Sequence, residues 1–376
     1  MVDAMRLRGL PFKSEVGMIE LTGWEYGTRT REMADALGGD DLRAFTKLAV
    51  AGGFLPEGSD LTTLAASFAA ASASATYSPL DKQVLLVDRV KSDSLLAHEV
   101  VHALQDQHFD LLSMLSVRPY SLDRVEATFA LIEGDAMDVQ RRLESGESFD
   151  KRPLEEIARQ ENERLSEYRT KVGALFPPLL TETFIFRYRD GLRFVETLRR
   201  TKNHNVNELF AHPPVSSEQV LHPEKYLAGE TPREIKLDEE GFKANNWRST
   251  ISTPLGEIGI RGVLMAALTD KEAARAAAGW GGDCAYLFER ERTAPLFVWK
   301  TVWDRPADAE EFYRAYNALC HKDGQLISAP AVTDNEAQAL WQSAGLTVIV
   351  QRKGAAVIIV RGARADVDSA LALADR

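Results

Sequence analysis

The segment LLAHEVVHALQDQHF constrains the chain most, because it places two histidines and a glutamate inside an otherwise apolar run. His98, Glu99 and His102 have the spacing His-Glu-x-x-His. If the run is helical, residues four apart lie on one face about 6 Å from each other, so both imidazoles can reach one metal ion. The alternative is an ordinary helix that happens to carry histidines, but imidazoles buried among apolar residues need polar partners. The pattern therefore predicts a metal site on a helix.

Zinc suits this donor set, because it is a redox-inert Lewis acid that lowers the pKa of a bound water to about 7. Glu99 directly follows the first histidine, where it can hold that water and take its proton. We therefore expect Zn²⁺ as the cofactor and Glu99 as the general base. A catalytic zinc site normally has three protein ligands, so a third ligand is required.

Two parts of the chain offer this ligand. His108 has the spacing of enzymes with the pattern His-Glu-x-x-His-x-x-Gly-x-x-His, but Gln105 stands where the helix-breaking glycine would be. A continuing helix would carry His108 about 9 Å along its axis, out of reach of the ion. Glu133 follows an apolar stretch on the next predicted helix, and Gly134 beside it would let two helices approach closely. Glu126 lies on nearly the same face and is the alternative, so we expect Glu133 as the third ligand.

The chain resembles the gluzincins, zinc metallopeptidases whose ligands are the two histidines of His-Glu-x-x-His and a glutamate from a following helix. More narrowly, it resembles a group of uncharacterised bacterial proteins classed as metallopeptidases. The matching stretches are scattered over most of the chain: RGLPF (Arg8 to Phe12), HEVVHALQDQHFDL, EGDA (Glu133 to Ala136), PPVSSEQVLHPEKY and GWGGD (Gly279 to Asp283). The resemblance implies zinc ligands at His98, His102 and Glu133, with Glu99 as the base.

One position departs from the gluzincin pattern. Some gluzincins carry an aspartate four residues after the ligand glutamate, and this aspartate orients a ligand histidine. Here Met137 occupies that position. Asp135, Asp138 or a backbone carbonyl can take the same role.

Peptide hydrolysis also needs a hydrogen-bond donor for the oxyanion that develops at the carbonyl. The polar, proline-rich loop PPVSSEQVLHPEKY offers His222 as a catalytic donor and Tyr226 as a substrate-binding residue. Tyr188 is a weaker candidate that we expect to pack in the core. The strand near Val84 to Val87 is predicted to bind an extended peptide along a sheet edge.

Helical periodicity dominates the middle of the chain, and strands with interspersed helices follow from about residue 250. We therefore expect an α+β protein, with a zincin-like, mainly helical catalytic domain that contains a small β-sheet, and an α+β C-terminal domain. The predicted boundaries are 1–60 for an N-terminal α/β segment packed on the catalytic domain, 61–245 for the catalytic domain and 246–376 for the C-terminal domain. No stretch is apolar enough to span a bilayer.

The net charge of −11 argues against a nucleic-acid partner, which would call for a basic face. The first residues hold no apolar signal core, and we slightly favour an exported protein whose leader is absent from the chain over a cytoplasmic one. Cys284 and Cys320 can form one bridge or remain thiols. The sequence does not define an oligomeric state.

Together these features predict a zinc-dependent metallohydrolase, a peptidase acting on a peptide or protein substrate. The alternative is a non-catalytic binding or scaffold protein on a metallopeptidase-like fold, with zinc joining two helices. A structural zinc site normally has four protein ligands and does not need Glu99, which favours the enzyme.

Overall fold

The computed structural model describes residues 2–72, 75–87, 92–171, 173–201, 205–323, 325–328, 336–343 and 345–376. The amino-terminal part is mainly helical, and the carboxyl-terminal part is built on a β-sheet, as predicted at this coarse level. The helices of the amino-terminal part are α1 (Val2–Arg8), α2 (Gly23–Ala51), α3 (Leu61–Ser72), α4 (Asp93–Phe109), α5 (Leu111–Leu115), α6 (Leu122–Ser145), α7 (Leu154–Lys171), α8 (Pro178–Arg200), α9 (Val206–Ala211), α10 (Ser217–Leu221) and α11 (Pro223–Leu227). Its strands are β1 (Gly17–Glu20), β2 (Ala75–Ser78) and β3 (Gln83–Leu86).

The carboxyl-terminal part alternates strands with a few helices. Its strands are β4 (Arg248–Thr253), β5 (Trp280–Glu289), β6 (Leu296–Trp303), β7 (Gln325–Ser328), β8 (Glu336–Ser343), β9 (Leu346–Lys353) and β10 (Ala356–Gly362). Its helices are α12 (Glu239–Ala244), α13 (Gly256–Leu264), α14 (Asp270–Ala277), α15 (Pro306–Asp323) and α16 (Arg364–Ala374). Within the described residues these strands form one antiparallel sheet in the order β4-β5-β6-β10-β9-β8-β7.

The small sheet of the amino-terminal part corrects one prediction. Strand β3 lies in the middle of the order β1-β3-β2, so both of its edges are occupied and the region Val84 to Val87 cannot accept a peptide strand. The outer edge of β2 carries no further strand among the described residues. The Tyr77 backbone N–H on that edge donates to Glu99, which places β2 beside the histidine helix.

Helices α6 and α8 approach each other unusually closely at two glycines. A Cβ atom on Gly134 would lie 2.2 Å from the carbonyl oxygen of Gly191, and a Cβ atom on Gly191 would lie 2.2 Å from the carbonyl oxygen of Ala130. Each glycine therefore allows the backbone of one helix to contact the backbone of the other. This contact fixes the position of Glu133, the residue immediately before Gly134.

Successive side chains of a strand point to opposite sides of the sheet, and both sides of the large sheet are buried. On β6, Phe297, Trp299 and Trp303 belong to the hydrophobic cluster on one face, whereas Leu296 and Val298 belong to the cluster on the other. The first cluster also contains residues from α13, α14, α15 and the end of α2, and the second contains residues of α12 and α16.

The N-terminal segment is divided between these two parts of the structure. Helix α1 packs against α4 and α6. Helix α2 is kinked at Gly38, and its last turns, with Phe45 and Leu48, join the hydrophobic cluster of the large sheet. Cys284 and Cys320 are not joined by a disulfide. Among the described helices, none combines the length and apolar character needed to cross a membrane.

The glycine contact predicts a specific sensitivity of the fold. Gly134→Ala places a methyl group against the backbone of α8, and we expect it to lower the free energy of unfolding by about 3 kcal/mol. Gly27→Ala is the matched control, because a Cβ atom at this helical glycine meets nothing within 4 Å. Urea unfolding followed by circular dichroism should show the loss for the first variant only. An unchanged midpoint for Gly134→Ala would contradict the close approach of the helices.

Candidate metal centre

The two histidines and the predicted third ligand meet at the contact between α4 and α6. His98 Nε2 lies 3.0 Å from His102 Nε2 and 3.1 Å from Glu133 Oε2. The distance from His102 Nε2 to Glu133 Oε2 is 3.4 Å. The spacing of four residues on α4 puts both imidazoles on one face, and α6 carries the carboxylate to them.

The donor atoms have the separations that a tetrahedral zinc ion requires. Ligands about 2.0–2.1 Å from such an ion lie about 3.3 Å from one another. The three observed distances, 3.0, 3.1 and 3.4 Å, bracket that value. Two imidazole nitrogens and one carboxylate oxygen are also a donor set that zinc accepts in hydrolytic enzymes. The residues therefore fit a zinc ion with one position left for water or substrate.

Electrostatics favour positive charge in this cluster. Burial by itself would lower the pKa of His102, but the Glu133 carboxylate raises that pKa to about 9. Burial opposes the ionisation of Glu133, yet the two histidines hold the pKa of this carboxyl well below its usual range. The three side chains thus stabilise either a bound proton or a bound cation between them.

Glu99 is buried next to the cluster and lines the same cavity. Its Oε2 accepts a 2.7 Å hydrogen bond from the Tyr77 backbone N–H of β2. Burial raises the pKa of Glu99, while His98 and His102 act in the opposite direction. A carboxyl with a raised pKa beside three converging ligands has the character of a proton acceptor in catalysis.

A chain of hydrogen bonds orients His102. Its Nδ1 lies 2.8 Å from Gln105 Oε1, and this contact leaves Nε2 facing Glu133. The Gln105 amide group donates to the carboxylate of Asp135 at 2.8 Å, and this carboxylate also accepts from Arg8 Nε at 2.6 Å. Of the two aspartates left open for this role, Asp135 is the one that contacts His102 through Gln105. Asp138 instead faces Arg142 and Arg199.

His98 is held differently. Its Nδ1 is buried and has no hydrogen-bond partner among the described residues. The ring of Tyr188 is stacked beside it, with 6.1 Å between ring centroids and 21° between the planes. The sequence suggested that Tyr188 packs in the core. In the structure its ring also forms part of the wall of the site.

The two alternative ligands have other partners. Glu126 forms a bidentate pair with Arg187, at 2.7 and 2.6 Å, and the guanidinium lies 4.1 Å from the ring centre of Phe129. His108 Nε2 is 2.8 Å from the carbonyl oxygen of Pro11, which leaves it turned away from the cluster. Of the three candidates, Glu133 is the one whose carboxylate lies beside both histidines.

The predicted roles of His222 and Tyr226 are corrected by their positions. His222 Nε2 lies 3.1 Å from Glu257 Oε2, and the Tyr226 hydroxyl donates to the backbone carbonyl of His212. Neither residue lines the cavity that contains the cluster. The ring of Tyr226 packs on Phe194, which does not line this cavity. The loop was chosen for its polar side chains, and these serve contacts between helices.

A cavity of about 500 Å³ contains His98, Glu99, His102 and Glu133 in its wall. Helices α2, α3, α4, α6 and α8 and strand β2 supply the remaining wall, and most of the side chains there are apolar. Cavities of this size and character are typical of sites that enclose a small molecule or part of a larger one.

Sequence reasoning missed four residues that form the surroundings of the cluster. In the sequence, Gln105 drew attention only because it stands where the His-Glu-x-x-His-x-x-Gly-x-x-His pattern has glycine. Arg8 was named only as the first residue of the stretch RGLPF. Tyr26 lines the cavity, and burial together with the charge of Glu99 raises its pKa to about 12. Tyr188 was placed in the core. A local signal existed for Gln105 alone, which lies three residues after His102 and hence on the same helix face.

Comparisons with known proteins concern the other part of the chain. A family model described as a domain of unknown function (DUF8575) matches residues 248–372, which hold the large sheet and exclude the metal cluster. No curated protein and no solved structure matched the chain. The chemistry of the cluster is therefore argued from its own geometry.

The hydrogen-bond chain behind His102 yields a prediction. Gln105→Leu removes the group that fixes the imidazole, and we expect zinc affinity to fall about 10–100-fold. Gln107→Leu is the control, because this half-buried residue on the same helix bonds only to the backbone at Lys13 and Ser14 among the described contacts. Competition with a chromogenic chelator measures both affinities. Equal affinities for the two variants would exclude an orienting role for Gln105.

Proposed function

We propose that this protein is a zinc-dependent hydrolase, specifically a peptidase of the gluzincin type. The observation that carries the proposal is the convergence of His98, His102 and Glu133 at tetrahedral separations, with Glu99 beside them in one cavity. Bound zinc would act as a Lewis acid and lower the pKa of a water molecule at the open position. Three protein ligands suit this role better than a structural role, which normally requires four.

The surrounding elements support a zincin-like fold for the catalytic part. A small sheet lies beside the histidine helix, its edge strand β2 contacts the general base, and the third ligand comes from a following helix. The edge of β2 offers backbone groups to an extended substrate, in place of the region Val84 to Val87. Ala75 and Thr76 of this strand line the cavity.

Two side chains have roles that follow from their surroundings. Glu99 takes the proton of the attacking water and returns it to the leaving amine, which requires a carboxyl of raised pKa. Tyr188 donates a hydrogen bond to the oxyanion, the role that the sequence assigned to His222. Burial and the charges of Glu133 and Glu99 raise the pKa of Tyr188 well above its ordinary value, so its hydroxyl stays protonated at neutral pH.

The ligand assignment is tested by two isosteric changes on one helix. Glu133→Gln should reduce zinc affinity by at least about 100-fold, because a metal ligand contributes more than the partners behind it. Glu126→Gln, seven residues earlier, is the control and should keep about one zinc per chain. Metal analysis after dialysis against a weak chelator gives both occupancies. Full zinc occupancy in Glu133→Gln would remove this residue from the site.

The base is tested by separating zinc binding from hydrolysis. Glu99→Gln should retain zinc and lose about 10²–10⁴-fold in kcat. Glu163→Gln, an exposed glutamate of α7, should retain both properties. A diverse peptide library digested by each zinc-loaded protein, with products read by mass spectrometry, supplies the substrates. If the wild type binds zinc and cleaves no peptide, the assignment as a peptidase fails.

A further inference from the structure

We infer that the substrate carries a long, straight acyl chain, and that the hydrolysed bond is the amide joining this chain to an amine. The acyl chain lies in the apolar cavity that extends from the cluster along α6. This inference rests on the proposed zinc-dependent hydrolysis and names its substrate class. Three properties of the cavity carry it, namely its length, the apolar character of its wall and the state of its polar groups.

The cavity is long. Along α6 its wall includes Leu122, Val125, Glu126, Phe129, Glu133 and Gln140, which share one helix face. Leu122 lies eleven positions before Glu133, so the cavity extends about 16 Å from the cluster in this direction, at 1.5 Å per residue. A zigzag of carbon–carbon bonds advances roughly 1.25 Å per bond, so this length accommodates a chain of roughly a dozen carbons. The cavity therefore extends well beyond the reach of one amino-acid side chain.

The wall of the cavity is also mostly apolar. Beside the apolar residues of α6 it includes Leu42, Phe45, Leu61, Phe68, Leu115 and Phe184. Each methylene group that is buried among such side chains adds to the affinity. The part of the substrate that enters is consequently apolar.

Several polar groups along the wall away from β2 already bond to the protein. Thr30 donates to the backbone carbonyl of Tyr26, and Thr183 donates to that of Leu179. Glu126 and Arg187 neutralise each other through two hydrogen bonds. A peptide backbone drawn from the cluster toward Leu122 would leave its own N–H and C=O groups unpaired with these residues, which is costly. An alkyl chain has no such groups.

The reaction balances as an ordinary hydrolysis. The oxygen of water bonds to the acyl carbon, the carbon–nitrogen bond breaks, and the proton accepted by Glu99 passes to the amine nitrogen. The products are a fatty carboxylate and a free amine. The acyl carbon lies at the cluster, the chain points toward Leu122, and the amine-bearing part lies along the edge of β2.

Straight-chain hydroxamic acids of 2, 4, 8 and 12 carbons test the inference as zinc-binding analogues of the acyl group. Isothermal titration calorimetry with the zinc-loaded Glu99→Gln protein measures binding without turnover. We expect the affinity to rise about threefold for each added methylene group up to about twelve carbons. A hydroxamate with a benzyl group should bind more weakly than the 12-carbon chain. An affinity that is independent of chain length would overturn the inference.

A pair of variants locates the chain in the cavity. Val125→Trp fills the half of the cavity that lies remote from Glu133, and we expect it to abolish most of the gain from 4 to 12 carbons while leaving the 4-carbon affinity unchanged. Arg124→Trp, the neighbouring exposed position on α6, is the control and should behave like the parent protein. Equal long-chain affinities for Val125→Trp and Arg124→Trp would place the chain elsewhere and reject the proposal.

The shortest probe separates the two proposals. If acetohydroxamate binds the zinc-loaded protein but longer chains add nothing, the metal site stands and the acyl-chain inference fails. If no hydroxamate binds, the zinc site of the proposed function fails. Dodecanol, which has no strong metal-binding group, then tests the cavity by itself. If Val125→Trp loses dodecanol binding and Arg124→Trp keeps it, the cavity binds an alkyl chain without the metal.

Discussion

The cluster of His98, His102 and Glu133 depends on the backbone contact between α6 and α8. Gly134 and Gly191 each lie where a methyl group would strike the partner helix, and Glu133 is bound by sequence to the first of these positions. The same contact determines where Arg187 and Tyr188 lie, because they precede Gly191 by one turn on α8. A third ligand, a wall of the site and a neutralising partner for Glu126 thus follow from one close approach between helices.

The other end of α6 is fixed by buried aspartates. Asp123 accepts hydrogen bonds from the backbone and hydroxyl of Ser217, and Asp283 accepts from the Leu255 and Gly256 amides and from two tryptophan side chains. Burial raises the pKa of Asp123 to about 7. The stretches PPVSSEQVLHPEKY and GWGGD therefore join the helical part to the large sheet. Their polar residues serve architecture, which explains why the loop proved misleading as a source of catalytic groups.

The sequence allowed prediction of the elements whose signals are local. His98, Glu99 and His102 are defined by spacing on one helix, and Glu133 by a carboxylate next to a glycine in an apolar stretch. The partners of these residues depend on contacts between distant parts of the chain, which periodicity does not encode. Arg8 reaches Asp135 across 127 positions, and Tyr77 reaches Glu99 through a backbone group that has no side-chain signature. Polarity in a loop was an unreliable guide, because buried hydrogen bonds between helices use the same residue types as active sites.

The charge balance of the site connects the cluster with its apolar cavity. Ionised Glu99 and Glu133 together carry two negative charges, and burying these without compensation would be very costly. A zinc ion supplies two positive charges, so the loaded site is neutral overall, with the imidazoles as neutral ligands. The nearby pair of Glu126 and Arg187 is also neutral. The wall facing the substrate would then present no net charge. An uncharged apolar group could therefore enter without removing water from an unpaired charge.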